Sequence, residues 1–221
     1  MGKQDPGKAL LENAYLLETP DENVAYYNKL AETYDTEFAN TLGYVLPKNI
    51  ANSFSAKRNH LDTPVVDVGC GTGLLGEELD IPDLVLDGLD ISQAMLKIAA
   101  KKRRYRSLFT ADLTQPFSTQ PLTRASEQYG AVLSSGTFTH GHLGPDALVR
   151  LLDIAKRDAL FVVSVNKEHH RKLGFEATID SLVQEKRIHD LNIEESNIYD
   201  VTDHEHSADK GLILSFRKAK G

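Results

Sequence analysis

The chain has 221 residues, of which 41% are hydrophobic and 26% are charged, and its formal net charge is −7. This composition is typical of a globular domain and argues against a disordered chain. No apolar run approaches the roughly 18–20 residues needed to span a bilayer, and the excess of acidic residues argues against a nucleic-acid partner. We therefore expect a soluble, single-domain protein over residues 1–221 that acts on a small molecule, with no membrane partner.

The N-terminal part of the chain has the pattern of helices. Thr19 suits a helix N-cap, Pro20 suits the first helical position, and Glu22 completes a capping box. An apolar and aromatic stripe then continues at three- and four-residue intervals to Tyr34, and another helix is predicted at about Lys48–Lys57. We expect a helical segment over about residues 8–58, followed by a core over residues 62–218.

Beyond this segment, buried strands alternate with amphipathic helices. The predicted elements, in chain order, are the strand Pro64–Val68, the strand Leu84–Leu89, the helix Ser92–Arg104, the strand Leu108–Ala111, the strand Ala131–Ser134, the helix Pro145–Lys156, the strand Ala159–Val165, the helix Glu176–Arg187, and a closing antiparallel pair at Ile193–Val201 and Gly211–Arg217. This alternation predicts an α/β fold with a doubly wound sheet.

Cysteine and histidine placement bears on compartment and metal binding. The single cysteine, Cys70, cannot form an internal disulfide, which favours a reducing, cytoplasmic location. The pairs His169-His170 and His204-Glu205-His206 lack the spaced ligand set of a zinc site, so we expect no metal and place these histidines towards solvent. The basic run Lys101–Arg106 is typical of a phosphate-binding patch or of the cation-rich last turn of a helix.

The strongest local signal is the strand Val65–Val68 running into the glycine loop Gly69-Cys70-Gly71-Thr72-Gly73. Alternating glycines permit a tight turn and a close approach of a ligand to the backbone. The spacing also fits a dinucleotide site, with Asp90 near the ribose position. However, Asp67 directly before the loop would repel a pyrophosphate and suits a cationic ligand such as S-adenosylmethionine.

Three segments resemble the ordered motifs of class I S-adenosylmethionine-dependent methyltransferases. These segments are Asp67–Gly73, Leu86–Ser92 and Thr110–Leu113, which resemble the first, second and third motifs. The resemblance implies a Rossmann-like doubly wound sheet of about seven strands, mostly parallel with an antiparallel C-terminal strand, plus an N-terminal helical lid. It also implies that S-adenosylmethionine is the cofactor and S-adenosylhomocysteine the product.

The same resemblance assigns residues to the cofactor. It implies that Asp90 binds both ribose hydroxyls and that Asp112 accepts a hydrogen bond from the adenine amino group. Further cofactor contacts are implied for Tyr34, Asp67, Gly69, Cys70, Gly71, Gly73, Ile91, Met95, Ala111, Leu113 and Ser134. More narrowly, the segments Ala25–Asp35, Leu42–Tyr44 and Gly136–His142 resemble the methyltransferase-like group named for the Williams–Beuren region.

The methyl acceptor is expected near the loop that follows the fourth strand. This loop lacks the Asn-Pro-Pro-aromatic pattern of enzymes that methylate nucleic-acid bases, and it offers His140 and His142. We select His140 as the candidate general base because it lies closer to the strand end. The prediction is methyl transfer to oxygen or nitrogen of a small molecule. The alternatives are a non-catalytic cofactor-binding module with a regulatory role and a nicotinamide-dependent oxidoreductase.

Overall fold

The computed structural model describes residues 6–117, 129–139, 142–201 and 205–220. Its seven strands form one sheet in the order β3-β2-β1-β4-β5-β7-β6. The strands are β1 (Val65–Val68), β2 (Leu86–Asp90), β3 (Ser107–Thr110), β4 (Tyr129–Phe138), β5 (Ala155–Asn166), β6 (Ile188–Asn197) and β7 (Lys210–Lys218). The sheet is parallel from β3 to β5, and β7 runs antiparallel to both β5 and β6. The predicted fold class is confirmed.

Helices flank the sheet. They are α1 (Pro6–Tyr15), α2 (Pro20–Leu30), a π-helix (Tyr34–Asn40), α3 (Leu46–Lys57), α4 (Leu74–Glu78), α5 (Gln93–Lys101), α6 (Pro145–Leu151), α7 (Lys167–Lys172) and α8 (Phe175–Gln184). The capping box at Thr19 is confirmed, because its side chain accepts from the Glu22 amide while the Glu22 carboxylate accepts from the Thr19 amide.

The predicted helix Pro145–Lys156 is wrong at its C-terminal end. The α-helix stops at Leu151 and continues only as a 3₁₀ turn, Leu152–Ile154, because β5 begins at Ala155. Strand β5 is therefore four residues longer at its start than the predicted strand Ala159–Val165. The junction over residues 151–158 mixes apolar with charged residues and has no Gly or Pro to mark a boundary, and its apolar positions alone do not separate a helix from a strand.

The N-terminal segment packs on the far end of the chain. Leu11 of α1, Phe38 of the π-helix and Tyr199, which follows β6, belong to one buried cluster. Tyr44 also forms an isolated antiparallel bridge with Tyr199. Burial of these side chains away from water stabilises the attachment of the segment to the sheet.

The basic run after α5 supports the core. The Arg106 guanidinium forms an ion pair of 2.6 Å with the buried Asp87, and the Arg104 Nε donates to the Gly76 carbonyl at 2.8 Å. Lys102 forms ion pairs with Asp35 at 2.7 Å and with Glu77 at 2.5 Å. These side chains are engaged within the molecule, so the last-turn interpretation fits the run better than a phosphate-binding patch.

The histidine pair does not face solvent as predicted. His169 lies in α7, is buried, and places its Nε2 2.9 Å from the Leu143 carbonyl oxygen, while His170 stacks on Phe175 with ring centroids 5.8 Å apart. His204 lies outside the described residues. Within the described ranges, no cluster of three or more His, Cys, Asp or Glu side chains is arranged for a metal ion, and no helix there has the length and apolarity to cross a membrane.

Candidate functional site

A cavity of about 320 Å³ lies at the carboxyl ends of the parallel strands. The sequence-predicted residues that line it are Tyr34, Gly69, Gly71, Asp90, Ile91, Met95, Ala111, Asp112 and Leu113. They come from the end of β2, from the loops after β1, β2 and β3, from α5 and from the π-helix. Parallel strands place such loops at one edge of the sheet, where open α/β folds bind ligands.

The glycine loop brings its backbone to this cavity. Gly69 and Gly71 have positive φ angles of 69° and 52°, a region that favours glycine. A Cβ at Gly69 would lie 2.0 Å from the Thr137 Oγ1, whereas a Cβ at Gly71 would meet no atom within 4 Å. Position 69 is therefore fixed by packing. Position 71 is open on the side of the cavity.

Asp90 ends β2 and holds the loop in place. Its Oδ2 accepts from the Gly71 amide and its Oδ1 from the Ser92 amide, each at 2.8 Å. Burial raises the pKa of Asp90, an effect that these backbone hydrogen bonds oppose. Each carboxylate oxygen has about two lone-pair positions, so both oxygens can still accept from neighbouring hydroxyl groups of a ligand.

The end of β3 supplies the next part of the wall. The Asp112 Oδ1 accepts from the Thr114 amide at 2.9 Å and from the Thr114 hydroxyl at 2.6 Å, which fixes the side chain in a local turn. The Ala111 amide donates to the Asp90 carbonyl at 3.0 Å. The Ala111 amide is thus engaged with β2. The Cα and the carbonyl of Ala111 are the backbone groups that can still contact a ligand.

Asp67 lies beneath the loop and does not line the cavity. It is 1% exposed, and its Oδ2 accepts from the Tyr105 hydroxyl at 2.8 Å. Its Oδ1 is buried without a hydrogen-bond partner in the structure. Burial raises the pKa of this carboxyl to about 7, although the bond from Tyr105 lowers it. An attraction between Asp67 and a cationic ligand would therefore act across the loop.

Three further predicted residues also lie outside the cavity lining. Cys70 is buried, and burial raises the pKa of its thiol. The Ser134 hydroxyl donates to the Val68 carbonyl at 2.8 Å, joining β4 to β1. A Cβ at Gly73 would approach the Tyr105 ring to 2.9 Å. These positions shape the loop and the adjoining strand ends.

The N-terminal segment forms a lid over the same cavity. Glu18, Pro20, Asn23, Tyr27 and Tyr34 line it from this side. The π-helix begins at Tyr34, and such helices are frequent at functional sites. The sequence identified Tyr34 by resemblance alone. Tyr27 was predicted only as part of an apolar stripe, and Asn23 was missed because an isolated asparagine carries no site signal.

Two side chains fasten the lid to the core. The Asn28 Oδ1 accepts from the Ser92 hydroxyl at 2.7 Å and from the Ala94 amide at 3.3 Å. The Asp35 Oδ1 accepts from the Thr72 hydroxyl of the glycine loop at 2.5 Å. Together with the ion pair of Asp35 and Lys102, these contacts connect the lid to the loop and to both ends of α5.

The end of β4 and the loop after it complete the site. Gly136, Thr137, His142 and Leu143 line the cavity, and the His142 ring centroid lies 5.6 Å from that of Tyr27. The sequence indicated this loop as the acceptor side but did not select these residues. His140, the predicted general base, lies outside the described residues.

A doubly wound sheet with a glycine loop after its first strand and acidic residues after the next two has the architecture of a class I methyltransferase. Residues 65–159 match the family model of a methyltransferase domain. Human methyltransferase-like protein 27 is 30% identical over 172 residues, which cover 74% of this chain and 66% of that relative, just under two thirds. Over its cofactor-binding core the chain is similar to class I S-adenosylmethionine-dependent methyltransferases, and these matches support S-adenosylmethionine as its cofactor.

Solved structures agree with this fold. The magnesium protoporphyrin IX methyltransferase of Synechocystis PCC 6803, crystallised with S-adenosylhomocysteine, has a TM-score of 0.61 at 17% identity, covering 90% of this chain and 99% of that one. The CcbJ methyltransferase of Streptomyces caelestis has a TM-score of 0.59 at 14% identity, covering 87% and 98%. The match of residues 65–159 to a methyltransferase domain argues against the nicotinamide-dependent alternative.

Proposed function

We propose that this enzyme transfers a methyl group to oxygen or nitrogen of a small-molecule acceptor. The observation that carries the proposal is the position of the lid, whose Tyr27 and Tyr34 line the same cavity as Gly71 and Asp90. The two tyrosines also line a second cavity of about 60 Å³. A space of that size beside the cofactor cavity suits a compact acceptor group.

The residues present fit the cofactor. The cavity is open at Gly71, where close approach to the backbone is needed, and Asp90 retains acceptor capacity for two hydroxyl groups. We propose that Asp90 holds the ribose, that Asp112 accepts from the adenine amino group, and that Met95 and Leu113 pack against the adenine. S-adenosylmethionine supplies an electrophilic methyl carbon attached to a positively charged sulfur.

The charge distribution supports a small-molecule acceptor over a nucleic acid. The formal net charge is −7, and the basic run after α5 is engaged with Asp87, Glu77 and Asp35. Recognition of a polyanion depends on cations that face outward towards phosphates. Most of this run is therefore already committed to contacts within the protein.

General-base catalysis is a separate part of the proposal. His140 remains the predicted base, and His142 is a second candidate because it lines both cavities. A group of this kind contributes roughly 10²–10⁴-fold to turnover when it removes a proton in the transition state. Proximity and alignment of the acceptor with the methyl carbon contribute independently of any base.

We further propose that the lid and the core act as one domain, because Asn28 and Asp35 bond directly to core residues. The single buried cysteine supports a cytoplasmic location.

The proposal is tested by calorimetry with S-adenosylmethionine, followed by tritiated-methyl transfer to a panel of small amines, alcohols and carboxylic acids. Binding together with transfer to at least one compound is expected. Binding without transfer to any acceptor would instead fit the non-catalytic module. His140→Ala and His142→Ala are compared in the same assay: loss of turnover with unchanged cofactor affinity identifies the base.

A further inference from the structure

The smaller cavity is lined by five tyrosines, Tyr15, Tyr27, Tyr34, Tyr44 and Tyr199, and we call it the tyrosine chamber. It joins the cofactor cavity, because Tyr27, Tyr34, Gly136 and His142 line both. Its other walls come from α1, the π-helix, the start of α3, the ends of β4 and β5, and the segment after β6. The chamber thus shares the end of β4 with the cofactor cavity and adds α1, β5 and the segment after β6.

The ring contacts show how the chamber is built. Tyr34 stacks on Phe38 with centroids 5.0 Å apart, and Tyr27 meets Tyr34 edge to face at 6.3 Å. Tyr44 and Tyr199 are tilted at 5.9 Å. Aromatic contacts of this kind favour a fixed arrangement of rings, so the chamber has a defined and largely apolar wall.

The chamber differs from the cofactor cavity in charge. Among the described residues, no Lys, Arg, Asp or Glu side chain lines the chamber, whereas Glu18, Asp90 and Asp112 line the cofactor cavity. A carboxylate or phosphate ester placed in the chamber would find no Lys or Arg among the described lining residues, and burying a charge without such a partner is costly. The lining therefore favours a group that enters in its uncharged form.

The pKa values of the tyrosines show how burial in the chamber affects ionisable groups. Burial raises the pKa of Tyr44 to about 12, and burial is also the main cause of the raised pKa values of Tyr27 and Tyr34. The same environment disfavours the anionic form of a phenol, alcohol or thiol, and it lowers the pKa of an amine. For an amine, the uncharged form is the nucleophile.

Resting on the methyl transfer proposed above, we propose that the tyrosine chamber is the acceptor subsite and that it selects a compact primary or secondary amine. The cavity of about 60 Å³ corresponds to about four positions of the size that one water molecule needs. It therefore accommodates an amine head of roughly four non-hydrogen atoms, with any larger part of the acceptor extending outside.

The transfer step balances without a further reactant. The nitrogen lone pair forms the new N–C bond, the C–S bond breaks, and its electron pair remains on sulfur as the thioether. A neutral primary amine thereby becomes a protonated secondary amine. An alkylamine is mostly protonated in neutral water, so its ammonium proton passes to solvent or to His142 of the chamber wall before the attack. The proton of the methylated product leaves by the same route.

The test compares n-propylamine, 1-propanol and propanoate, which share one short carbon chain. We expect tritiated-methyl transfer to n-propylamine at least tenfold above 1-propanol, and none to propanoate. Binding of each probe to the protein with S-adenosylhomocysteine is measured in parallel by saturation-transfer NMR. Equal or greater transfer to the alcohol or the acid overturns the proposal. So does the absence of both n-propylamine binding and transfer.

A substitution locates the subsite. Ala14 is buried on α1 and lines the chamber but not the cofactor cavity. We expect Ala14→Leu to lower amine methylation at least tenfold with unchanged S-adenosylmethionine affinity. The matched control Ala25→Leu lies on exposed α2 surface and should behave as wild type. If Ala14→Leu fails to fold, Ala14→Val adds less volume and should lower methylation severalfold.

The possible outcomes distinguish the location of the acceptor subsite from the methyl transfer activity. Wild-type methylation by a folded Ala14 variant overturns the chamber as the acceptor subsite while leaving methyl transfer intact. Absence of S-adenosylmethionine binding to the wild-type protein contradicts the proposed function itself.

Discussion

The cofactor cavity has two halves that are built in different ways. On the strand side, Asp90 is held by the pairing of β2 with β3 and by hydrogen bonds from backbone amides, one of which is the Gly71 amide. On the lid side, Asn28 and Asp35 reach the core through a few side-chain bonds. Backbone ladders resist local change, whereas single side-chain contacts can be removed one at a time. We therefore expect the strand side to determine which ligand binds and the lid to determine how slowly that ligand dissociates.

The largest expected effect falls on the strand side. We expect Asp90→Ala to weaken S-adenosylmethionine binding by roughly 2–4 kcal/mol, because the ribose hydroxyls and two backbone amides would lose a charged acceptor. Calorimetry measures the change. Asp90→Asn keeps one carbonyl oxygen, so its affinity should lie between those of the wild type and Asp90→Ala. Asp80→Ala, at an exposed position, should bind with wild-type affinity. Unchanged affinity in Asp90→Ala would contradict the assignment of the second motif.

Asp67 gives a pH-dependent test of the same side. Its pKa is raised from 3.8 to about 7 in the folded protein, mainly by burial. Between about pH 4 and pH 7 this carboxyl ionises in the unfolded chain but stays largely protonated in the folded protein. The free energy of unfolding therefore falls as the pH rises through this range. We expect Asp67→Asn, measured by urea unfolding without cofactor, to remove a pH-dependent loss of a few kcal/mol. The same pH slope in both proteins would show that Asp67 does not titrate in this range.

A smaller effect is expected on the lid side. Thr72→Val and Asp35→Ala each remove the bond between lid and glycine loop. We expect dissociation of S-adenosylmethionine to accelerate about fivefold in Thr72→Val, from a net hydrogen-bond free energy of about 1 kcal/mol, and at least as much in Asp35→Ala, which also loses the ion pair with Lys102. Stopped-flow displacement measures the rate. The double variant should match Asp35→Ala, because that substitution already removes the bond that Thr72→Val breaks.

Glu32→Gln is the matched control for that experiment. Glu32 and Lys101 form an exposed ion pair of 3.6 Å between the lid and α5. Exposed pairs contribute little, so the dissociation rate should stay at the wild-type value. A rate increase equal to that of Thr72→Val would mean that surface charge, and not the bond to the loop, holds the lid.

The sequence predicted the strand side better than the lid. The glycine loop, Asp90 and Asp112 follow buried strands in chain order, and parallel pairing brings consecutive strand ends to one edge. By contrast, the bond between Asp35 and Thr72 joins residues 37 positions apart. A solvated loop carboxylate and a bonded one have the same sequence signature, so this contact gave no signal.

The sequence by itself determined the sheet, the glycine loop and the class of cofactor, because these depend on short patterns of apolar, glycine and acidic residues. Only the tertiary structure placed Asp67 against Tyr105 and buried His169 behind the site. It also brought Tyr15 of α1 and Tyr199 after β6 to one chamber. The physical reason is distance along the chain: local patterns fix secondary structure, whereas contacts between remote residues form only when the whole sheet and lid pack together.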